Sequence, residues 1–276
     1  MKFISSSNEL LRSLKDILYV INITNKLPIL ENFLFKIKEK NVLTITVSDL
    51  EITMTISLNI NSINFGSAVI PHKILLEILK KIPEQTFWKE NKLKILSQNG
   101  EYDLSIFSSE EYPKYSLLRN NNHFLISEKI LLNIINNTLF AVGNDEIRPV
   151  LNGVFFDIEN NKNNISNSNF VSTNSNFLVK YSIKDLSFNK EKEIRLIIPK
   201  KPLNILKYNL NDTNNNVYIS YNDLNTSFFF KKKKIICSPL NGTSPTSKSD
   251  PNLNIYALKR AALLIKKLSG GKILKN

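Results

Sequence analysis

One stretch of this chain occurs twice. Leu27-Pro-Ile-Leu-Glu-Asn-Phe-Leu-Phe35 returns as Arg148-Pro-Val-Leu-Asn-Gly-Val-Phe-Phe156, so that Leu30 falls on Leu151, Asn32 on Gly153 and Phe35 on Phe156. The segments before it match at the same offset: Leu10, Leu11, Leu14, Ile17, Leu18 and Ile21 fall on Leu131, Leu132, Ile135, Thr138, Leu139 and Val142. That spacing is one apolar face of an α-helix. Each unit therefore reads as a helix, a loop and a Pro-led strand. A constant offset over six helix positions and the Pro-apolar-Leu run makes this an internal repeat of domain size, which excludes a single unrepeated fold.

Length agrees with the repeat. At 276 residues with 42% apolar content, the chain is long enough for two cored domains and shows none of the composition of a disordered chain. The boundaries expected are 1–122 for the first domain, 123–248 for the second, and a basic stub at 249–276 that resembles the opening of a third unit. The N-terminus runs directly into a charged helix without an apolar leader, and no apolar run is long enough to cross a bilayer. A cytoplasmic protein with no membrane attachment is expected. Cys237 is the only cysteine, which excludes an internal disulfide and a cysteine-based metal site.

The net charge of +13 is unevenly spread. Residues 1–122 hold 15 Lys and Arg against 13 Asp and Glu, residues 123–248 hold 16 against 10, and residues 249–276 hold 6 against 1. The excess therefore sits in the second unit and the tail. It has two readings: attraction for nucleic acid, or the coding bias of a chain rich in Asn, Ile and Lys, whose codons are AT-rich.

Along each unit the same order recurs. In the first, a helix at about 7–21 precedes strands near 28–38, 42–49 and 52–58. Gly66-Ser-Ala-Val-Ile-Pro71 then leads into a helix with Leu75, Ile78, Leu79 and Ile82 on one face and Lys73, Glu77, Lys80 and Lys81 on the other. A hairpin about Asn99-Gly100 joins 92–97 to 101–107. In the second, a helix at about 127–142 precedes strands near 149–158 and 168–183. Ile197-Ile-Pro199 leads into a helix with Leu203, Leu206 and Leu210 inward and Lys200, Lys201, Asn204 and Lys207 outward. A closing hairpin joins Val217–Tyr221 to Ser227–Phe230. The fold class is α+β.

Helix and sheet in this repeated order resemble the bacterial DNA polymerase III β subunit family, the sliding clamps, over about residues 1–245. The residues that carry the likeness are Met1-Lys-Phe3, Leu27–Phe35, Ser48-Asp-Leu-Glu51, Ile82-Pro-Glu-Gln85, Gly143-Asn-Asp-Glu-Ile-Arg-Pro149 and Ile198-Pro-Lys-Lys-Pro202. The resemblance implies tandem clamp domains, each two helices backed by strands, assembling as a homo-oligomeric ring around duplex DNA. It implies a non-catalytic processivity factor of the replicative polymerase, with the polymerase III alpha subunit and the clamp loader as partners and no cofactor. Lys26 and Arg148 match DNA-contacting positions of the family, and Lys73, Lys80, Lys200 and Lys201 lie on the lysine rows of the helices. Each such lysine reads equally well as an ordinary solvated helix face.

The resemblance also implies an apolar pocket for a partner's peptide, walled in this chain by Leu151, Thr173, Ser175, Asn176, Phe177, Leu178 and Pro245. The family's usual Ala-Thr-Asp-Gly-His-Arg-Leu stands here as Ser172-Thr-Asn-Ser-Asn-Phe-Leu178, which keeps Thr173 and Leu178 and changes the polar middle. Tyr102 and Leu104 match family interface positions on the first unit. Phe228–Phe230 is the complementary free edge expected on the second, and the unmatched third unit favours a monomer or weak oligomer.

Nothing supports catalysis or a metal. His72 opens a helix and His123 sits in an Asn-rich linker, neither with a matched partner, and Asp49 and Glu51 read as two unpartnered acids on a strand. Two other readings stay open, a basic DNA-binding protein that closes no ring and a degenerate clamp remnant. The latter is suggested by the run Phe228-Phe-Phe-Lys-Lys-Lys-Lys234.

Overall fold

Both units open with the same device. Ser6 accepts a hydrogen bond from the Glu9 amide at 3.3 Å, and Ser127 accepts one from the Ile130 amide at 3.3 Å, each capping a helix of 11 residues. A side-chain oxygen at this position satisfies an amide that has no partner inside the helix. In the computed structural model the described residues are 1–21, 27–81, 85–89, 93–97, 100–113, 122–158, 167–184 and 193–240.

The first half runs β1 (Lys2–Ser6), α1 (Ser7–Ile17), β2 (Phe33–Glu39), β3 (Val42–Ser48), β4 (Ile52–Asn59), β5 (Asn61–Asn64), β6 (Gly66–Ile70), α2 (His72–Leu79), β7 (Gln85–Lys89), β8 (Leu93–Ser97) and β9 (Gly100–Leu104). The second runs β10 (Asn122–Ser127), α3 (Glu128–Thr138), β11 (Gly153–Ile158), β12 (Asn167–Thr173), β13 (Leu178–Lys184), β14 (Ile194–Pro199), α4 (Lys200–Asn209), β15 (Asn216–Tyr221), β16 (Thr226–Phe230) and β17 (Lys233–Cys237). The architecture is α+β, with every strand pair antiparallel.

The repeat holds strand by strand. Phe33 pairs with Ile70 and Val154 with Ile198, while Val69 bridges Phe107 and Ile197 bridges Leu240. At Gly153 the close approach is backbone to backbone: a Cβ there would meet the Ile198 carbonyl oxygen at 2.6 Å. The sequence expectations shift in two places. The Pro-led segments are not strand from the start, because Pro28–Glu31 and Pro149–Asn152 each make a short 3₁₀ turn before β2 and β11. Proline suits the first position of such a turn, where its missing N–H leaves no hydrogen bond unmade. The stretch 168–183 is a hairpin, β12 and β13, turned by residues 174–177.

Among the described residues the strands form three sheets, in the orders β5-β1-β7-β8-β9, β10-β15-β16-β17-β4-β3-β2-β6 and β13-β12-β11-β14. The eight-stranded sheet crosses from one half to the other at β17 and β4. There Cys237, Ile236, Ile235, Lys234 and Lys233 lie opposite Ile52, Thr53, Met54, Thr55 and Ile56. This overturns the expectation that Phe228–Phe230 forms a free edge: β16 is an interior strand, with Phe228 and Phe230 buried and only Phe229 half exposed. Of the Phe-Lys run, Lys233 and Lys234 lie on the seam strand β17, and the phenylalanines lie one strand behind it on β16.

Polar contacts reinforce the seam. Lys233 Nζ reaches Asp16 Oδ2 at 2.7 Å and Asn209 Oδ1 at 2.8 Å, and Asn209 Nδ2 donates to the Asp16 backbone carbonyl at 3.2 Å. One hydrophobic core runs through both halves, from Leu10, Leu14, Phe33 and Phe35 to Leu131, Ile135, Phe156, Phe170 and Phe228. Two smaller clusters cover the other sheet faces at corresponding places, Leu30 with Val69 and Tyr112, and Phe155 with Val171 and Ile197.

Candidate DNA and partner surfaces

The β3–β4 and β12–β13 connections are the same loop built twice. Asp49 Oδ1 accepts the amides of Glu51 and Ile52 at 3.0 and 2.7 Å, and Asn174 Oδ1 accepts those of Asn176 and Phe177 at 3.0 and 3.1 Å. Ser48 Oγ takes the Leu50 amide and Thr173 Oγ1 the Ser175 amide, each at 3.2 Å. Leu50 and Ser175 both sit at positive φ, 77° and 75°. A non-glycine residue there is strained, and the turns made by the Asp and Asn side chains offset the cost. Asp49 and Glu51 therefore lie on a loop and not on a strand. Asp49 is not unpartnered either: its nearly buried carboxylate is ion-paired with Lys201 from the other half.

That pair divides the DNA-binding candidates. Lys73 and Lys80 are exposed on and just beyond α2, with no ion-pair partner among the described residues. Lys201, at the place in α4 that Lys73 holds in α2, is tied to Asp49, and Lys200 donates to the Val142 carbonyl at 3.2 Å and to Asn144 Oδ1 at 3.3 Å. Both second-half lysines thus brace the fold. Lys26 lies outside the described residues.

Arg148 is held in place as well. Its Nε and Nη2 donate to Asp145 Oδ2 at 2.9 and 2.7 Å, and Nη2 also reaches Ser175 Oγ at 2.8 Å. The same Asp145 takes the Ile147 and Arg148 amides at 2.9 and 2.8 Å, and hydrogen bonds to Arg148 hold its carboxyl below the usual carboxylate range. Asn152 closes the loop, accepting from the Asp145 amide and donating to its carbonyl at 2.6 and 2.8 Å. The guanidinium is more than half exposed and aimed, while Asp145 cancels much of its long-range field.

The pocket candidates come together in part. Thr173, Ser175, Asn176, Phe177 and Leu178 are consecutive on the turned loop, with Phe177 and Leu178 about half exposed. Thr173 Oγ1 donates to the Phe177 carbonyl at 2.8 Å and fixes the turn. Leu151, within the Pro149–Asn152 turn, is buried rather than presented. Pro245 lies outside the described residues. Sequence reasoning missed Phe140, which is 67% exposed and stacks on Phe177 with ring centroids 6.3 Å apart. Its signal was available, because Phe140 falls off the apolar face of the helix that precedes it. Also unforeseen is the exposed stack of Tyr19 on Tyr208, centroids 4.5 Å apart.

Among the interface candidates, Tyr102 packs against the core and Leu104 is buried, both on β9, which ends its sheet among the described residues. His123 stands on β10, stacked on Tyr218, and not in a linker. Among the described residues no group of His, Cys, Asp and Glu has the arrangement of a metal site, and no helix is long and apolar enough to cross a membrane.

Comparison with known proteins decides the lineage. The family description for the DNA polymerase III beta subunit N-terminal domain matches residues 1–116, and that for its central domain matches residues 125–246. The chain belongs to the DNA polymerase III beta subunit family. The beta sliding clamp of Staphylococcus epidermidis is 30% identical over 239 residues, covering 80% of this chain and 60% of that protein. That of Staphylococcus aureus is 29% identical over 305 residues, covering 100% of this chain and 77% of that protein. The chain therefore spans about three fifths of the first relative's length and about three quarters of the second's. The crystal structure of the Bacillus subtilis polymerase sliding clamp matches with a TM-score of 0.82 at 24% identity, over 100% of this chain and 76% of that one. The beta subunit of Streptococcus pyogenes matches with a TM-score of 0.81 at 18% identity, over 97% and 75%. At these identities the structures bear on fold alone.

Proposed function

We propose that this beta-subunit chain serves as a DNA sliding clamp, a non-catalytic cytoplasmic processivity factor that holds a replicative polymerase on duplex DNA. The observation that carries the proposal is the pair of consecutive family matches laid over an internal repeat. In that reading the chain contributes two successive segments of a ring. The polymerase III alpha subunit and the clamp loader are the protein partners, and they engage Phe177, Leu178 and Phe140 on the second half through an apolar peptide. A sliding contact must attract phosphates without holding any of them tightly or reading bases. Exposed Lys73 and Lys80, Lys26 and the aimed Arg148 meet that need. Lys200 and Lys201 contribute charge from positions braced by Asn144 and Asp49.

Fluorescence anisotropy on short duplexes tests this. Binding is expected to be weak, indifferent to sequence and steeply salt-dependent. Joint replacement of Lys73 and Lys80 by Ala should lower affinity alike on all sequences and reduce the log–log salt slope by about 2. Lys201→Ala should instead lower the stability of the chain. A strong preference for one sequence, or binding unmoved by salt, contradicts the proposal.

A further inference from the structure

One position of the repeat carries an exposed aromatic ring in both halves, in different company. Tyr19 follows Leu18 as Phe140 follows Leu139, just past α1 and α3, and the two rings are 54% and 67% exposed. Phe140 stacks on Phe177 of its own half. Tyr19 stacks instead on Tyr208, which α4 brings from the other half, with the rings parallel to within 1°. Each tyrosine covers one face of its partner. Tyr208 is 65% exposed, so much of the remaining surface of both rings stands in water.

Charge separates the two pairs. Exposed Arg12 and Lys15 lead along α1 to Tyr19, where the equivalent residues of α3 leading to Phe140 are exposed Asn133 and Asn136. Lys207, also exposed, stands beside Tyr208 on α4. Arg12, Lys15 and Lys207 have no ion-pair partner among the described residues. Of the acids on α1, Asp16 is held by Lys233 at 2.7 Å, and Glu9 lies about 15 Å away along the helix axis. The tyrosine pair therefore sits in a positive field that the phenylalanine pair's helix does not supply.

Exposed rings among unpaired cations are the chemistry that holds a single nucleic-acid strand, because cations attract the phosphates and every base has a flat face to stack. A duplex keeps its base faces covered and offers the rings only sugar and phosphate edges. Family membership makes DNA the strand. We propose that Tyr19 and Tyr208, with Arg12, Lys15 and Lys207, bind unpaired nucleotides of single-stranded DNA, a base extending the tyrosine stack. The site spans the two halves and exists only while α1 and α4 stay together, which Lys233 enforces by holding Asp16 and Asn209 at once. It goes beyond the duplex contact of the clamp reading and requires no closed ring.

Fluorescence anisotropy of the full chain with a labelled oligothymidylate of about 12 nucleotides tests it. The parent should hold this strand about tenfold more tightly than an abasic strand of equal length, which carries the phosphates without the bases. Tyr19→Leu and Tyr208→Leu should each weaken oligothymidylate binding about tenfold and leave the abasic strand and a duplex unaffected. Tyr208→Phe should keep the affinity, since stacking needs the ring and not the hydroxyl. Joint replacement of Lys15 and Lys207 by Ala should reduce the log–log salt slope on oligothymidylate by about 1.4. Equal binding of the two single strands by the parent, or affinity unmoved by both leucine changes, would overturn the site. So would a Tyr208→Phe variant as weak as Tyr208→Leu, or a loss on duplex matching the loss on the single strand. The comparison of the two single strands uses the parent alone, so it decides even where a leucine loosens the contact between the halves. Duplex binding that ignores salt would contradict the clamp reading and leave this site standing.

Discussion

β4 and β13 are the same strand of the repeat in different surroundings. Met54 on β4 faces Ile235 across the seam and is fully buried, while Val179, its counterpart on β13, is half-buried on a strand that ends its sheet among the described residues. The loops that precede them share their hydrogen bonds and their positive φ, yet one carries Asp49, which Lys201 needs, and the other carries Asn174. Backbone geometry was kept in the duplication, and the side chains were specialised to whatever each copy touches. A residue's role in this molecule therefore follows from its neighbours and not from its place in the repeat.

The largest expected effect breaks that comparison if it fails. Met54→Ala removes a side chain packed on all sides and should cost about 2–4 kcal/mol in urea unfolding. Val179→Ala should cost less than about 1 kcal/mol. Equal losses would mean that the seam is no better packed than β13.

A second contrast lies at the helix starts. The first residue of α1 is Ser7 and that of α3 is Glu128, both buried. Glu128 Oε2 accepts from the Asn211 amide at 2.9 Å and from Thr213 Oγ1 at 3.3 Å, and is ion-paired with Lys231 Nζ at 3.1 Å. The carboxylate ties α3 to the β16–β17 turn, where Lys231 holds φ at 50°. Glu128→Gln should destabilise by about 2–3 kcal/mol, since it leaves paired groups without their charge partner. Ser7→Ala should cost about 1 kcal/mol. Thermal unfolding of both variants measures the difference.

The repeat, the α+β class and the order of elements were legible because period and capping residues are local signals. Ser6 and Ser127, Pro71 and Pro199, and the stripe from Leu10 to Ile17 each announce their structure within a few residues. What was not legible depends on partners distant in the chain. The run Phe228–Phe230 is apolar and terminal to a hairpin, which fits an edge as well as an interior strand, and only the pairing of β17 with β4 separates the two. Asp49 reads as a spare acid until Lys201, 152 residues away, is brought to it. The hairpin at 174–177 was hidden because Asn174, Ser175 and Asn176 turn the chain without a glycine. Of the proposed surfaces, Lys73 and Lys80 are exposed as their helical spacing implied. Leu151 is not: it lies within the 3₁₀ turn and is buried.

The smallest expected effect contrasts His72 with its counterpart Lys200. Burial lowers the His72 pKa below the ordinary histidine range, against a raising hydrogen bond with the Glu31 backbone. The unfolded chain therefore takes up the proton first as pH falls. The stability contributed by neutral His72 is present above the ordinary imidazole range, declines as pH drops through it, and is lost below the lowered folded-state value. The ring is only half-buried, so the effect is slight. Between pH 7 and pH 5 the melting temperature of the parent should fall slightly further than that of His72→Gln. Equal declines would remove His72 from the account.

The central claim, that this chain contributes to a ring that slides on DNA, is tested most directly by topology. The protein is incubated with circular duplex, washed at about 0.3 M salt to screen phosphate contacts, and the circle is then cut once. Retention on the circle and loss on cutting is the predicted result. Retention on the cut linear DNA, or removal from both forms by salt alone, would contradict it.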